Sequence, residues 1–158
     1  MTNNIFPDAN DEIIYFSRSD VTQELGTFSK HAFELEGKTW PSVEHYFQAM
    51  KFEGEEHGEK IRQAAHPKLA RKLGRQRFKR MRKDWKQVKT TVMTRGLYIK
   101  CKTYPDIAEK LLNTEGKKLV ENSQYDYFWG CGRDRRGSNM YGQVLMQVRD
   151  KLREETQT

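Results

Sequence analysis

Apolar side chains recur at helical spacing in four separate stretches of this chain, and that period commits most of it to helix. Val43, Phe47 and Met50 stand at i, i+4 and i+7. Trp85, Val88, Val92 and Ile99 continue the pattern, then Ile107, Leu111 and Leu112, then Tyr141, Val144, Leu145, Val148 and Leu152. Punctuation sets the bounds. Pro41-Ser42 opens the first helix, with the Ser42 hydroxyl available to free backbone amides. Short helices are predicted over 59–65 and 67–80, split by Pro67, and a longer one begins near Asp84 and is limited by Pro105. A further short helix covers about 105–113, and the last begins near Tyr141. Strand signals are fewer. Ile13-Ile14-Tyr15-Phe16 reads as a short buried strand. Phe33 to Leu35 and Lys38 to Trp40 flank Glu36-Gly37 as a small hairpin. The Gly- and aromatic-rich segment 121–139 reads as an ordered loop. The expected fold is therefore mainly α within the α+β class: a single-domain helical bundle over 1–158, with a small sheet or hairpin near the N-terminus. Its core spans about 13–153, with short flexible termini.

Composition narrows the class of molecule. The chain has 158 residues, among them 3 Trp, 7 Tyr and 8 Phe, which argues against disorder. The apolar runs fall far short of the roughly 20 residues a bilayer span needs, and Met1-Thr2-Asn3-Asn4 opens no secretory signal. A cytoplasmic protein without a membrane partner is expected. Two cysteines, Cys101 and Cys131, make no disulfide framework, and His31, His45, His57 and His66 have no metal-ligand spacing. Phosphate-loop, nucleophile-elbow and dinucleotide fingerprints are absent, since Gly130-Cys131-Gly132 lacks the third glycine. Neither a metal nor a cofactor is expected. Charge points to the partner. Of 29 basic and 22 acidic residues, sixteen basic and only Asp84 among the acids fall between Lys60 and Lys102. So uneven a distribution suits an anionic partner, either a phosphorylated small molecule or nucleic acid; a solvated basic helical face is the plainer reading.

Four polar residues, Glu44, Lys51, Asp126 and Asn139, stand out from their local surroundings. Glu44, Gln48 and Lys51 form a polar stripe beside the apolar stripe of the first helix, as a pocket wall does and as any surface amphipathic helix also does. Asp126 sits in Tyr125-Asp126-Tyr127-Phe128-Trp129-Gly130, and Asn139 follows Gly137-Ser138. Aromatics around an acid, closed by glycines, can stack a base or sugar and present a carboxylate to it. Each residue also has a structural reading. Glu44 complements a helix start, Lys51 is solvated, Asp126 caps a turn, Asn139 takes a left-handed position, and Trp85 and Trp129 serve the core.

Several ordered motifs resemble one family. Residues 40–52, from Trp40-Pro41-Ser42-Val43-Glu44-His45-Tyr46 through Phe52, resemble the signature helix of the NADAR superfamily in its YbiA-like branch. Arg82-Lys83-Asp84-Trp85, Leu111-Leu112-Asn113-Thr114, Leu119-Val120-Glu121, Asp126-Tyr127-Phe128-Trp129-Gly130 and Gly137-Ser138-Asn139-Met140-Tyr141-Gly142 follow at similar spacing, over about 15–152. The resemblance implies an N-glycosidase that cleaves the C–N bond between ribose 5-phosphate and the pyrimidine of early riboflavin-pathway intermediates. Other branches remove ADP-ribose from modified guanine in DNA, so ADP-ribose or ADP-ribosylated DNA is the alternative partner. A non-catalytic nucleotide- or nucleic-acid-binding module is the second alternative. Carried over by position, Glu44, Lys51 and Asp126 are the implied catalytic residues, and Trp85, Trp129, Asn139 and Phe28 the implied substrate-binding ones. The chain departs from the family at Phe28-Ser29-Lys30-His31, where Phe-Ser-Asn-Phe is usual.

Chemistry gives these residue types their roles. Breaking a ribosyl C–N bond builds positive charge at C1′ and negative charge on the departing base. Glu44 and Asp126 are candidates to stabilise the cationic sugar, activate water or orient a hydroxyl. Trp85 or Trp129 suits the heterocycle. Lys51 allows two roles: an ammonium that binds phosphate or protonates the leaving group, or an amine that attacks an opened C1′. Glu44 and Lys51 lie two turns apart, about 10.5 Å along a helix axis, so a substrate bridging them fits better than a simple ion pair.

Overall fold

The computed structural model describes residues 12–157, so of the ends expected to be flexible beyond about 13–153, residues 1–11 and 158 lie outside the described residues, while 154–156 continue the last helix. In chain order the elements are β1 (Ile13–Phe16), β2 (Phe33–Leu35), β3 (Lys38–Trp40), α1 (Val43–Met50), α2 (Glu56–Arg62), α3 (Pro67–Gly74), α4 (Trp85–Thr103), α5 (Pro105–Leu112), β4 (Lys118–Glu121) and α6 (Met140–Thr156). The fold is α+β and predominantly helical. The chain forms two compact units, one over 18–105 and one joining residues 12–17 to 106–157.

In the unit 18–105, α1 is the centre. The Ser42 hydroxyl caps it by accepting from His45 N at 3.2 Å, and all eight of its residues are buried. Helices α2, α3 and α4 and strand β3 pack around it. Burying Val43, Phe47 and Met50 is worth about 1.5–3 kcal/mol each. The hairpin β2–β3 pairs Phe33 with Trp40 and Leu35 with Lys38. Its turn needs left-handed backbone at both Glu36 (φ 56°) and Gly37 (φ 75°), which glycine adopts freely.

Two boundaries and one buried face differ from the sequence reading. Helix α2 runs over Glu56–Arg62 rather than 59–65. Helix α3 stops at Gly74, because no inward residue follows: Phe78 is 93% exposed within a loop of cations. In α4 the expected Trp85 and Val92 are buried together with Met93, Gly96, Leu97, Lys100 and Cys101, while Val88 and Ile99 are only half-buried. That face was masked in the sequence by a glycine and a lysine. Gly96 is there because a Cβ would meet the Tyr46 ring at 3.0 Å, so its absence lets α4 close on α1.

In the other unit, β1 pairs in parallel with β4, Ile13 opposite Lys118 through Phe16 opposite Glu121, and α6 packs on β4. The strand at 13–16 forms, but only Phe16 is buried; Ile13 is 43% and Tyr15 45% exposed. Strand β4 was not expected, since its fully buried Leu119 and Val120 show no alternation. Segment 121–139 is an ordered loop. Main-chain bonds run from Ser138 N to Tyr127 O (2.8 Å), Asn139 N to Gly130 O (3.0 Å) and Met140 N to Phe128 O (2.9 Å). At Gly137 a Cβ would lie 2.4 Å from Gly130 O, so only glycine lets these chains approach. The inward face of α6 is Tyr141, Val144, Leu145, Val148 and Leu152, as its period predicts. Among the described residues no helix is long and apolar enough to cross a membrane.

Candidate active site

Glu44 stands in the first turn of α1 with no exposed surface. Its Oε1 accepts from Arg71 Nε at 2.9 Å and Gln48 Nε2 at 2.8 Å, and its Oε2 accepts from Thr27 Oγ1 at 2.7 Å. Burial by itself would raise the carboxyl pKa. The charge and hydrogen bond of Arg71, the charge of Arg18 and the Gln48 bond outweigh it and hold the pKa at about 2. Glu44 is therefore a fixed anion at neutral pH. Oε2 carries one bond where Oε1 carries two, so Oε2 has lone-pair capacity left.

Arg71, on α3, reaches from Glu44 to Ser19, whose Oγ accepts from Nη1 at 2.7 Å, and its guanidinium lies 4.3 Å from the centroid of the Phe28 ring. Phe28 thus supports the cation that holds Glu44. Gln48 fills the space between Glu44 and α3: a Cβ on Gly74 would lie 2.1 Å from Gln48 Oε1. The Gln48 amide orientation follows from its partner, because a carboxylate only accepts. Two polar atoms are left over. Gln48 Oε1, an acceptor, and Arg71 Nη2, a donor, are buried without a partner among the described residues. Such groups beside a buried anion are what a polar ligand satisfies.

Lys51 ends α1, 8% exposed, its Nζ donating to Gly74 O at 3.3 Å and lying 5.9 Å from the Phe47 ring centroid. Burial is the main cause that lowers its pKa, to about 8. Glu44 opposes the fall, while Arg75, Arg71 and Arg18 add to it by like-charge repulsion. At pH 7 that leaves roughly a tenth of the molecules with a free amine. The ion pair Glu44 makes is with Arg71, not with Lys51. Trp85 opens α4, 6% exposed, with its ring tilted 5.1 Å from Phe47 on the same face of α1.

The remaining expected residues lie in the other unit. Half-buried Asp126 closes a turn, its Oδ1 accepting from Phe128 N at 3.0 Å and Trp129 N at 2.8 Å. Trp129 is 7% exposed and edge-on to Phe128 at 4.7 Å. Asn139 has left-handed backbone (φ 49°). Its Oδ1 accepts from Glu121 N at 2.8 Å and its Nδ2 donates to Leu119 O at 2.9 Å, so its amide bonds the edge of β4.

The sequence reading missed Arg71, Arg18 and Thr27. Nothing in the pattern separates Arg71 from its fifteen basic neighbours between Lys60 and Lys102; only packing selects it. An acid-lined hollow of about 640 Å³ also opens in this unit, lined by Glu36, Glu53, Glu55, Glu56 and Glu59 with Lys38 as its one cation. It contains none of Glu44, Lys51 or Arg71, and its carboxylates would repel a phosphate. The histidines serve the frame. His45 Nε2 donates to Ala64 O at 3.0 Å and its Nδ1 accepts from Ser42 Oγ at 2.7 Å, His57 Nε2 donates to Leu73 O at 2.8 Å, and His66 Nδ1 accepts from Leu69 N at 3.1 Å. Among the described residues no three His, Cys, Asp or Glu side chains gather as metal ligands do.

The NADAR domain family model matches residues 6–153. The N-glycosidase YbiA of Escherichia coli strain K12 is 40% identical over 140 residues, covering 89% of this chain and 88% of that protein. The chloroplastic riboflavin biosynthesis protein PYRR of Zea mays is 37% identical over 155 residues, covering 89% of this chain and 25% of the maize protein. The NMR structure of the E. coli protein YbiA superposes with a TM-score of 0.84 at 39% identity, covering 97% of this chain and 92% of that one.

Proposed function

The chain belongs to the NADAR domain family and is an N-glycosidase, and on that premise we propose that it hydrolyses the C–N bond between ribose 5-phosphate and an aminopyrimidine of early riboflavin biosynthesis. One observation carries the reading: a buried, permanently ionised Glu44 within reach of the charges of Lys51, Arg18, Arg71 and, through Lys51, Arg75. Arg71, with one guanidinium nitrogen left without a partner among the described residues, is the kind of group that binds a phosphate monoester. The riboflavin biosynthesis name of the maize relative supports the pyrimidine side of the substrate.

A glycosylamine opens to an imine at C1′. The Lys51 amine adds there, the new C1′–Nζ bond forms, and the C1′–N bond to the pyrimidine breaks as that nitrogen takes a proton and leaves as the free amine. Water then adds to the lysine imine and releases ribose 5-phosphate. A pKa of about 8 suits Lys51 to this exchange near neutrality. Glu44, held at about 2, is too weak a base to take the proton; its charge stabilises the cationic carbon. By their match to the family motifs, Asp126 is proposed as catalytic and Trp129 and Asn139 as substrate-binding; within their own unit Asp126 caps a turn and Asn139 bonds β4.

The test is incubation with ribosylaminopyrimidine phosphates, NAD, ADP-ribose and ADP-ribosylated DNA, with products identified by mass. Free pyrimidine and ribose 5-phosphate are expected. ADP-ribose released from DNA would move the substrate to the second class, and binding without any turnover would overturn the enzymatic reading.

A further inference from the structure

Lys100 is a buried cation that the mechanism above does not use. It is 1% exposed and projects from the last turn of α4, more than seventy residues along the chain from its partners. Its Nζ donates to Glu24 O at 2.5 Å, Gly26 O at 2.9 Å and Ser29 Oγ at 2.5 Å, so three acceptors match the three protons of an ammonium. All three belong to the loop 24–29. That loop also carries Thr27, whose hydroxyl donates to Glu44 Oε2, and Phe28, whose ring lies under Arg71. Its main chain is tied to the site as well, Thr27 O accepting from Glu44 N at 3.0 Å.

We propose that Lys100 is a positioning residue for the Glu44 chemistry: its ammonium gathers the carbonyls of Glu24 and Gly26 and the Ser29 hydroxyl to one point, and so holds the loop in the shape that aims Thr27 at Glu44 and Phe28 at Arg71. The reason is electrostatic. Two carbonyl oxygens turned inward to the same point repel each other and have lost their water; a cation between them removes both penalties, and no neutral side chain supplies three donors. The other main-chain bonds of the loop, Gly26 N to Gln23 O at 2.9 Å, Thr27 N to Arg18 O at 2.9 Å, Phe28 N to Arg18 O at 3.2 Å and His31 N to Ser29 O at 2.9 Å, tie it to neighbouring segments but do not pull its carbonyls toward α4. Burial lowers the Lys100 pKa to about 8, with Cys101 and Glu24 opposing, so at neutral pH it remains mostly the three-donor ammonium.

This rests on Glu44 acting as proposed, and the test separates the two. Lys100→Met, Thr27→Val and their double variant are compared for kcat and KM on the ribosylaminopyrimidine phosphate and by far-UV circular dichroism. Lys100→Met is expected to lower kcat about tenfold with KM changed less than about threefold, and the double variant to be no worse than about twofold below the poorer single. Effects that multiply, or an unchanged kcat in Lys100→Met, overturn the proposal. Should Lys100→Met not fold, Ser29→Ala removes one of the three acceptors and is expected to lower kcat about threefold, non-additively with Thr27→Val; an unchanged kcat there is equally fatal. If the wild-type protein turns over no compound of the panel, the functional reading fails, and the Glu44 side-chain carboxyl resonance in 13C-labelled protein still tests positioning. Lys100→Met or Ser29→Ala must then move it in the same direction as Thr27→Val, and a resonance left in place refutes the role of Lys100.

Discussion

Replacing Glu44 with glutamine separates the charge of this site from its shape. A glutamine oxygen at the Oε1 position keeps the bonds from Arg71 Nε and Gln48 Nε2. Its amide nitrogen faces Thr27 Oγ1, which can accept from it while donating to Arg18 O, 3.2 Å away. What is lost is the anion. A carboxyl lowered from 4.5 to about 2 in the folded protein stabilises the fold while ionised. That contribution is complete above the unfolded value of 4.5 and disappears as pH falls through about 2. At about 1.36 kcal/mol per pH unit it amounts to about 3 kcal/mol at pH 7 and roughly half of that at pH 3. Protonated glutamate and glutamine have the same shape, so Glu44→Gln should cost about 3 kcal/mol at pH 7 and about half that at pH 3. Urea unfolding followed by tryptophan fluorescence measures both. Turnover should fall at least about a hundredfold, because the charge on the cationic carbon goes unanswered. A stability difference that does not change with pH would refute the buried ion pair, and a folded variant with near-normal turnover would remove Glu44 from the mechanism.

Three further outcomes follow from the same geometry. Between pH 6 and about 8 kcat should rise as the Lys51 amine is freed, and borohydride should trap a Lys51-linked sugar; no adduct, together with an active Lys51→Met, would leave Lys51 only a minor electrostatic part. Asp126→Asn keeps the acceptor that Phe128 N and Trp129 N use, so its fold should survive while turnover falls about tenfold; unchanged turnover, measured on the same panel, would reduce Asp126 to a turn cap. Asn139→Ala leaves Glu121 N and Leu119 O of β4 without their partner and should cost about 2–4 kcal/mol in urea unfolding; a loss below about 0.5 kcal/mol would show that water replaces the amide there.

Repeating apolar spacing was enough to find α1, α5 and α6, because each buries one stripe that the 3.6-residue period exposes in the sequence. The hairpin was equally legible, since Glu36-Gly37 supplies the left-handed turn locally. The end of α3 was less so, because the 75–83 loop is punctuated by charge rather than by proline. Strand β4 and the inward face of α4 were hidden, for they are defined by what packs on them: a parallel partner for Leu119 and Val120, and Tyr46 against Gly96. The site divides in the same way. Glu44 and Lys51 are readable because a helix places them on one stripe and family motifs mark them. Whether Glu44 is an acid, a base or a fixed anion depends on Arg71, Thr27 and Arg18, which reach it from distant segments. The sequence by itself determined which side chains are available and which helix bears them. Only the tertiary structure decided their ionisation, because desolvation and the charge of a neighbour act through space, and linear order carries no record of which of sixteen basic residues becomes that neighbour.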